Sequence, residues 1–597
     1  SGLTVAGGWD TQGGGIRNDG SLTLDRVTVW GNEAGTDQFL SGSGGGIYNS
    51  PGASLTITRS TISNNVAHTD GLQGGGGIYN GGALSIFASN FSGNEVRSPS
   101  IAGVLNGSAV YNCSNGGLTA TATIDSCTFT ANRNNSISSS GNLTLRRSTV
   151  SGDQEVGVEC SGTATIDSCT VTGVYGRGIE ARGSLTLVNS TVAGNQGAGL
   201  TVRRGSSTSP TSIAIANCTI AGNTYNSSSA VSGAGIDVTG NGTSPLITLH
   251  NTIVAGNVLV PSGGSPILKD LNTSTQTTIL VQPPRYESLG YNLIQDPGGA
   301  TIAGTTTGNL LGVDPLLGPL ADNGGPTQTM ALLLGSPAID AGDNTGAPAY
   351  DQRGVGFARI VRGTIDMGAF EVQLPEVVVT DVSVMEGNSG FTAAIFTVTL
   401  SRASADPVTV NYATADGSAT AGSDYQAASG TLTFAPGETS KTITVLVNGD
   451  RLGEPNETFA VNLSGAINAT IADGQGLGTI VDDEPRISIN DVSKLEGKKG
   501  QTTLLVFTVT LSTAYDQPVT MSFRTADGTA MGSDNDYVAQ TGTLTFNPGE
   551  TTKTITIEVQ GDNRKEPDEI FYLDLFDNSG DSLFTRSRGV GTILNDD

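Results

Sequence analysis

The sequence predicts an all-β protein: a parallel β-helix, built as a solenoid of short stacked rungs, followed by two β-sandwiches in tandem. Three observations lead there. A 12-residue phrase recurs nine times in the first 257 residues; the composition is poor in helix formers; and the last 224 residues consist of two halves that match phrase for phrase.

The phrase is "SLTLDRVTVWGN" (21–32), an apolar-x-x-small-Thr-apolar-x-Gly-Asn pattern. It returns as "SLTITRSTISNN" (54–65), "ALSIFASNFSGN" (83–94), "TATIDSCTFTAN" (121–132), "NLTLRRSTVSGD" (142–153), "TATIDSCTVTGV" (163–174), "SLTLVNSTVAGN" (184–195), "SIAIANCTIAGN" (212–223) and "LITLHNTIVAGN" (246–257). The small position is Val27, Ser60, Ser89, Cys127, Ser148, Cys169, Ser190, Cys218 and Thr252, so successive steps are 33, 29, 38, 21, 21, 21, 28 and 34 residues. The unit is therefore 21 residues with insertions of variable length. A unit that short, alternating and free of helical periodicity is one rung of a parallel β-helix. Each rung carries a strand around Ile47 or Ile78, a second around Leu55–Ile57 and a third around Thr61–Ile62.

Rungs stack at about 4.8 Å, so equivalent residues form ladders along the axis. Leu24, Ile57, Ile86, Ile124, Leu145, Ile166, Leu187, Ile215 and Leu249 form an inward, core ladder. Asn32, Asn65, Asn94, Asn132, Asn195, Asn223 and Asn257 form an amide ladder at a turn, interrupted at Asp153 and Val174, in which stacked amides hydrogen-bond from rung to rung. Glycine runs such as "GSGGGIYN" (42–49) have counterparts at 11–18 and 72–80. They recur per rung, precede a strand and lack the Lys-Ser/Thr of a phosphate loop, which is followed by a helix. They read as corners where an inserted loop rejoins the coil on glycines with positive φ.

All five cysteines lie in the first half: Cys113, Cys127, Cys160, Cys169 and Cys218. Cys127 and Cys169 share a ladder two rungs apart, roughly 9–10 Å by strand spacing, beyond the reach of a disulfide at about 7 Å. Buried, reduced thiols are expected. Net charge is −26, with 31 acidic and 13 basic residues between Leu374 and Asp597. So acidic a chain does not suit nucleic acid; concentrated carboxylates suit solubility or a hard cation. No apolar run is long enough to span a membrane, and the chain begins and ends as if cut from a longer polypeptide.

Residues 289–371 depart from the 21-residue rhythm. They contain "LGYNLI" (289–294), "LLGVDPLLGPLADNGGPTQTMALLLGSPAIDAGD" (310–343), "DQRG" (351–354) and "DMGAFE" (366–371). With the upstream "GGGIYN…LTITRSTISNN" repeats, they resemble bacterial surface β-helix proteins of the choice-of-anchor type, whose β-helix is right-handed. The resemblance covers roughly residues 1–371. It implies a secreted, cell-surface, adhesin-like role and supplies no catalytic residues. Asp351 and Arg353 read as a salt bridge fixing the terminal rung. The expected domains are 1–372, with 289–371 as the closing segment, then 373–484 and 485–597.

In the last two domains "VMEGNSG" (384–390) matches "KLEGKKG" (494–500), and "YATADGSATAGSDY" (412–425) matches "FRTADGTAMGSDNDY" (523–537). "GTLTFAPGETSKTITV" (430–445) matches "GTLTFNPGETTKTITI" (542–557), and "GDRLGEPNETF" (449–459) matches "GDNRKEPDEIF" (561–571). Alternating runs between turn residues indicate sandwiches of about seven strands. These motifs resemble the Calx-β domain, an immunoglobulin-like sandwich, over both halves. The resemblance implies Ca²⁺ at one end of each sandwich. In the first the ligands would be Glu386, Asp416, Asp424, Asp450, Glu454, Asp482 and Asp483. In the second they would be Glu496, Asp527, Asp536, Asp562, Glu566, Asp596 and Asp597, with Asn595 replacing the acid that matches Asp482. The chemistry agrees: Ca²⁺ takes 6–8 oxygen ligands, and clustered carboxylates repel one another unless a cation joins them. Asp482–Glu484 also lies where the first sandwich hands over to Pro485, so Ca²⁺ there is expected to stiffen the tandem.

Nothing in the sequence points to catalysis. His68, expected in a loop insertion, and His250, at an outward rung position, fit no metal spacing, and no GxSxG elbow occurs. Parallel β-helices also host polysaccharide lyases, and Arg203–Arg204 lie beside an inserted loop, but tryptophan platforms are scarce (Trp9, Trp30). The sequence thus reads as a non-enzymatic, rod-like structural or adhesive segment of a surface or filament-forming protein, rigidified by Ca²⁺. Expected partners are neighbouring surface proteins or glycans, or further copies of the chain stacked end to end. The alternative is a β-helix that binds or degrades polysaccharide.

Overall fold

The computed structural model describes residues 2–36, 42–69, 74–98, 107–203, 212–227, 232–239, 245–272, 285–404 and 406–596. The chain divides into two compact units, Ser1–Gln373 and Leu374–Asp597.

The first unit is the solenoid. Three long parallel sheets run along it, of 12, 11 and 9 strands, one strand of each per rung. Registers such as Leu24↔Ile57, Ile86↔Ile124 and Leu145↔Ile166 confirm the inward ladder, which forms one buried core with Val29, Ile62, Phe91 and Phe129. A fourth, short sheet of Trp9–Asp10, Glu33–Ala34, Val66–His68 and Glu95–Arg97 had no signal in the repeat. His68 therefore sits in a strand and not in a loop insertion, buried with Nε2 2.5 Å from Glu33 Oε1.

The repeat encodes two left-handed corners in each rung. The residue before the small position has positive φ in all nine copies, for example Arg59 at 48°, Ala88 at 48° and Asn251 at 47°. The residue before the amide ladder does so too; it is glycine in seven rungs, with Asn64 and Ala131 in the others. Between the two corners lies the three-residue central strand, such as Thr61–Ser63. Beside the corners the amides stack: Asn32 Nδ2 donates to Asn65 Oδ1 at 2.9 Å, Asn65 to Asn94 at 3.0 Å, Asn94 to Asn132 at 3.1 Å, and Asn195 to Asn223 at 2.8 Å. Asp153 continues the ladder on one side, its Oδ1 accepting from Asn132 N at 2.9 Å; Val174 breaks it. A second ladder runs through Asn18, Asn49, Asn80 and Asn112, with Nδ2-to-Oδ1 bonds of 2.6–2.7 Å.

The glycine run has two functions. Gly44 has φ 68°, as a corner requires. Gly45 and Gly46 do not have positive φ; a Cβ on Gly45 would lie 2.3 Å from Val66 O, and one on Gly46 2.7 Å from Gly77 O. They are glycine because neighbouring backbone closes on them. The five cysteines are all free thiols, and burial pushes Cys160, Cys169 and Cys218 up to about 12.

Residues 322–371 do not simply close the last rung. They double back along the solenoid and cover the outward side of the 12-stranded sheet. Gln352 bonds Thr170 at 2.9 Å and Thr191 at 2.6 Å, Thr219 Oγ1 accepts from Ala369 N at 3.0 Å, and Asn251 and Asp343 exchange side chain-to-backbone bonds of 2.8 and 2.9 Å. Ile253, Ala255 and Leu293 of the solenoid pack against Leu332, Met367 and Phe370 of this strap. The Asp351–Arg353 pair is buried inside it, with the guanidinium between the rings of Phe357 and Phe370 at 4.0 and 3.9 Å. It fixes the strap over rungs well before the terminal one.

The second unit holds two sandwiches of one design, each with a four-stranded and a five-stranded sheet. Nine strands replace the expected seven or so, partly because the first strand is split. Glu376–Val379 pairs in one sheet and Val382–Met385 in the other. Phe396, Tyr425, Phe434 and Phe459 centre one core, and Phe507, Tyr537, Phe546 and Phe571 the other.

Candidate metal sites in the sandwiches

In the first sandwich Glu386 follows strand Val382–Met385, Asp450 follows Ser440–Gly449, Glu457 begins Glu457–Ile467, and Asp482–Glu484 follow Gln475–Val481. The carboxylates meet in two groups, Glu386 with Asp483 and Glu484, and Asp424 with Glu454 and Glu457. In each, ligand oxygens lie within 4.8 Å of one another.

The first group is the more telling. Glu386 and Glu484 are only 6% and 2% exposed, and Glu386 Oε1 and Glu484 Oε2 have no hydrogen-bond partner. Burial, reinforced by Asp450, pushes Glu386 up to about 8; burial and Asp483 push Glu484 to about 7. Asp483 is oriented by Gly387 N at 3.0 Å. Two buried carboxylates with open oxygens are costly unless a cation joins them, and an all-oxygen donor set is what a hard cation such as Ca²⁺ takes. The residues fit the ion. In the second group burial and Asp424 push Glu457 up to about 7.

The remaining acids are placed differently. Asp416 accepts from Ala421 N at 2.8 Å and Tyr425 Oη at 2.7 Å, and Asp527 repeats this with Gly532 N at 3.0 Å and Tyr537 Oη at 2.5 Å. Both brace the loop that carries Asp424 or Asp536. Asp450 caps Leu452 N at 2.7 Å. Asp482 accepts from Glu454 N at 2.5 Å and pairs with Arg486 at 2.6 Å.

In the second sandwich Asp536, Glu566 and Glu569 converge within 4.8 Å. Asp562 turns to Arg564 N at 2.6 Å, and Asp596 accepts from Gly497 N at 3.2 Å. Glu496 is buried; Asp597 lies outside the described residues. Arg564, where the first sandwich has Leu452, stands 3.8 Å from Asp562 and 3.9 Å from Glu566. A guanidinium there competes with a bound cation. Glu457, Glu484, Glu569 and Arg564 are absent from the motif-based set. Glu457 and Glu569 were visible in the matched "GEPNETF" and "KEPDEIF", where a second acid follows the first by three residues, and Arg564 is the base directly before the second phrase.

The two sandwiches touch next to the first group. Tyr515 Oη of the second lies 3.5 Å from Glu484 Oε1 and 3.2 Å from Arg451 of the first; Arg451 also pairs with Asp516 at 2.7 Å. Gly453 N donates to Gly580 O at 2.8 Å.

Residues 375–484 and 481–594 each match the Calx-beta domain, and residues 100–259 match the right handed beta helix region. Sodium/calcium exchanger 2 of Rattus norvegicus is 31% identical over 205 residues, 31% of this chain and 21% of the exchanger. Sodium/calcium exchanger 1 of Canis lupus familiaris is 30% identical over 196 residues, 28% of this chain and 19% of the exchanger. The chain thus spans about a fifth of the length of these relatives. Among solved structures, CBD12 from CALX1.2 aligns with 36% of this chain and 99% of its own at 19% identity and a TM-score of 0.24. Calcium binding domain CBD12 of CALX1.1 aligns with 34% and 79% at 22% identity and a TM-score of 0.22. The chain carries a right-handed β-helix region followed by two Calx-beta domains, and Calx-beta domains are Ca²⁺-binding regulatory domains. Among the described residues no helix is long and apolar enough to cross a membrane.

Proposed function

We propose that this chain is a non-enzymatic structural or adhesive part of a secreted, bacterial cell-surface protein, in which Ca²⁺ stiffens the paired sandwiches. The observation that carries the calcium role is the pair of buried, open carboxylates Glu386 and Glu484, one of which faces Tyr515 of the neighbouring sandwich. Glu386, Asp483 and Glu484 would hold one ion, and Asp424, Glu454 and Glu457 a second. Asp450 and Asp482 add negative potential, while Asp416 positions the Asp424 loop. The ion supplies positive charge that offsets the mutual repulsion of these acids. In the second sandwich Asp536, Glu566 and Glu569 would hold an ion more weakly, against Arg564.

With the first group neutralised, Glu484 is fixed against Tyr515, and Tyr515 against Arg451, so the hinge at Pro485 loses freedom. Small-angle scattering of the chain in calcium and in chelator tests this: a narrower distance distribution with calcium is expected, and an unchanged one refutes the stiffening. Incubation with pectins and alginates tests the non-enzymatic reading; release of unsaturated sugar ends would replace it with a lyase.

A further inference from the structure

Over four consecutive rungs the 11-stranded sheet presents an uncharged outward face. These are the rungs spaced 21 residues apart without insertions, and they contribute Thr121–Asp125, Asn142–Arg146, Thr163–Asp167 and Ser184–Val188. The first and third residues of each strand face outward, alternating with buried Ala122, Leu143, Ala164 and Leu185. Register aligns them in two columns: Thr121, Asn142, Thr163 and Ser184 in one, Thr123, Thr144, Thr165 and Thr186 in the other. The first column is exposed throughout, and the second is exposed or half-buried.

Seven of these eight side chains carry a hydroxyl, and the eighth is an amide. Charge resumes only at the flank, where the fifth residue of three of the strands is Asp125, Arg146 or Asp167. The hydroxyls are also unspent. Ser148 and Ser190, at the neighbouring corner, donate to Arg146 O at 2.6 Å and Val188 O at 2.7 Å; among the described residues none of the seven hydroxyls bonds another protein group. Their positions are fixed all the same. Asn112 Nδ2, beside the block, ties Ser139 Oγ at 2.9 Å and Asn142 O at 3.0 Å, and threonine is stiff about χ1. The face is therefore a rigid, regular array of methyl and hydroxyl groups with every hydroxyl turned to water.

We propose that this face binds ice. In a tetrahedral water lattice with hydrogen bonds of about 2.75 Å, two molecules bonded to a common neighbour lie about 4.5 Å apart, and the repeat across two puckered layers is about 7.3 Å. Rungs about 4.8 Å apart and alternate residues of a strand about 6.6–6.8 Å apart come near both repeats. Side chains that lean along the strand take up the difference between the two columns. Along the axis the mismatch of about 0.3 Å per rung grows to half a repeat only after about eight rungs, so a block of four stays in step. Waters held on the hydroxyls thus already occupy lattice positions, and little ordering remains to oppose attachment. Charged side chains would instead impose their own hydration, and the array has none. The site is independent of the calcium groups.

The test is capture of the fluorescently labelled whole chain by slowly growing polycrystalline ice, in chelator so that its outcome is separate from that of the calcium reading. The chain is expected to enter the ice, from which an ordinary soluble protein is rejected, and to slow ice recrystallisation. Thr123→Tyr and Thr163→Lys, at exposed positions in the two columns, should each reduce capture about tenfold or more by holding the lattice off the array. Thr128→Tyr, exposed on the 12-stranded sheet, should leave it unchanged. Circular dichroism melts check that the variants fold. Rejection of the unaltered chain from ice, or capture of folded Thr123→Tyr and Thr163→Lys at its level, would overturn the proposal. So would a dimer in sedimentation that these two substitutions dissolve, which would give the face to a second copy of the chain.

Discussion

Replacing Asp153 by Asn should stabilise the solenoid above mildly acidic pH. Asp153 occupies an amide-ladder position, is fully buried, and leaves Oδ2 without a partner. Burial pushes its carboxyl from 3.8 up to about 8. The folded state therefore keeps a proton that the unfolded chain releases near pH 4. Stability linked to this group is present in full below about pH 4 and falls by about 1.4 kcal/mol per unit until about pH 8. Near pH 7 the deficit relative to a non-ionising side chain is roughly 4 kcal/mol. Asparagine removes it and adds a donor. In neighbouring rungs Asn132 Nδ2 reaches Phe91 O and Asn195 Nδ2 reaches Val171 O; the equivalent acceptor for residue 153 is Phe129 O, worth about 1 kcal/mol. Because rungs of a solenoid open locally, the assay is native-state hydrogen exchange of peptides spanning residues 129–160, corrected for intrinsic rates, at about pH 5 and pH 8. The wild type should open more readily at the higher pH, and the Asp153→Asn variant should show little pH dependence. Equal wild-type protection at both pH values, or a variant less protected at the higher pH, would refute the reasoning.

Four further outcomes are expected. Glu386→Gln should raise the melting temperature of the calcium-free chain by relieving repulsion, while abolishing most of the calcium-induced shift, which at a hundredfold excess over Kd is worth about 2.7 kcal/mol; calorimetry with and without chelator reads both. Gly45→Ala should destabilise the solenoid by about 3 kcal/mol, since its Cβ meets Val66 O and Gly76 O. Gly52→Ala, at φ 81° with open space around it, should cost only about 1 kcal/mol in denaturant titrations. A thiol reagent should label Cys113, the only cysteine not buried, in the native chain and all five after denaturation; intact-mass analysis showing disulfides would contradict this.

Much of the fold is legible because the rung obeys a strict local code. Small-Thr-apolar-x-Gly-Asn specifies a strand between two left-handed corners, and that code survives any loop inserted elsewhere in the rung. What escaped the sequence is tertiary. The strap contacts residues about 150–180 positions away, such as Thr219 with Ala369 and Thr170 with Gln352, and no periodicity announces such a contact. A trace does exist: the last strand position is Trp30, Ser63 or Thr130 in early rungs but Ala193, Ala221 and Ala255 in late ones, small and buried where the strap lies. In the sandwiches, motif matching located the acid-rich end. It could not separate Asp416, which braces a loop through Tyr425, from Glu484, whose open oxygen depends on burial by neighbours distant in sequence.

The strap also sets an order of events on the ribosome. Rungs are completed from the N-terminal side by pairing with the rung just made, a local process that suits vectorial synthesis. Thr170, Thr191 and Thr219 are in place long before Gln352 and Ala369 emerge, so this flank is bare until synthesis passes Phe370. A nascent chain stalled short of that point presents stacked rungs with one unsealed side, open to chaperones and to wrong pairings. Arrival of Arg353 and Arg359 with their buried acids then seals it, so this flank is the last part of the solenoid to be covered.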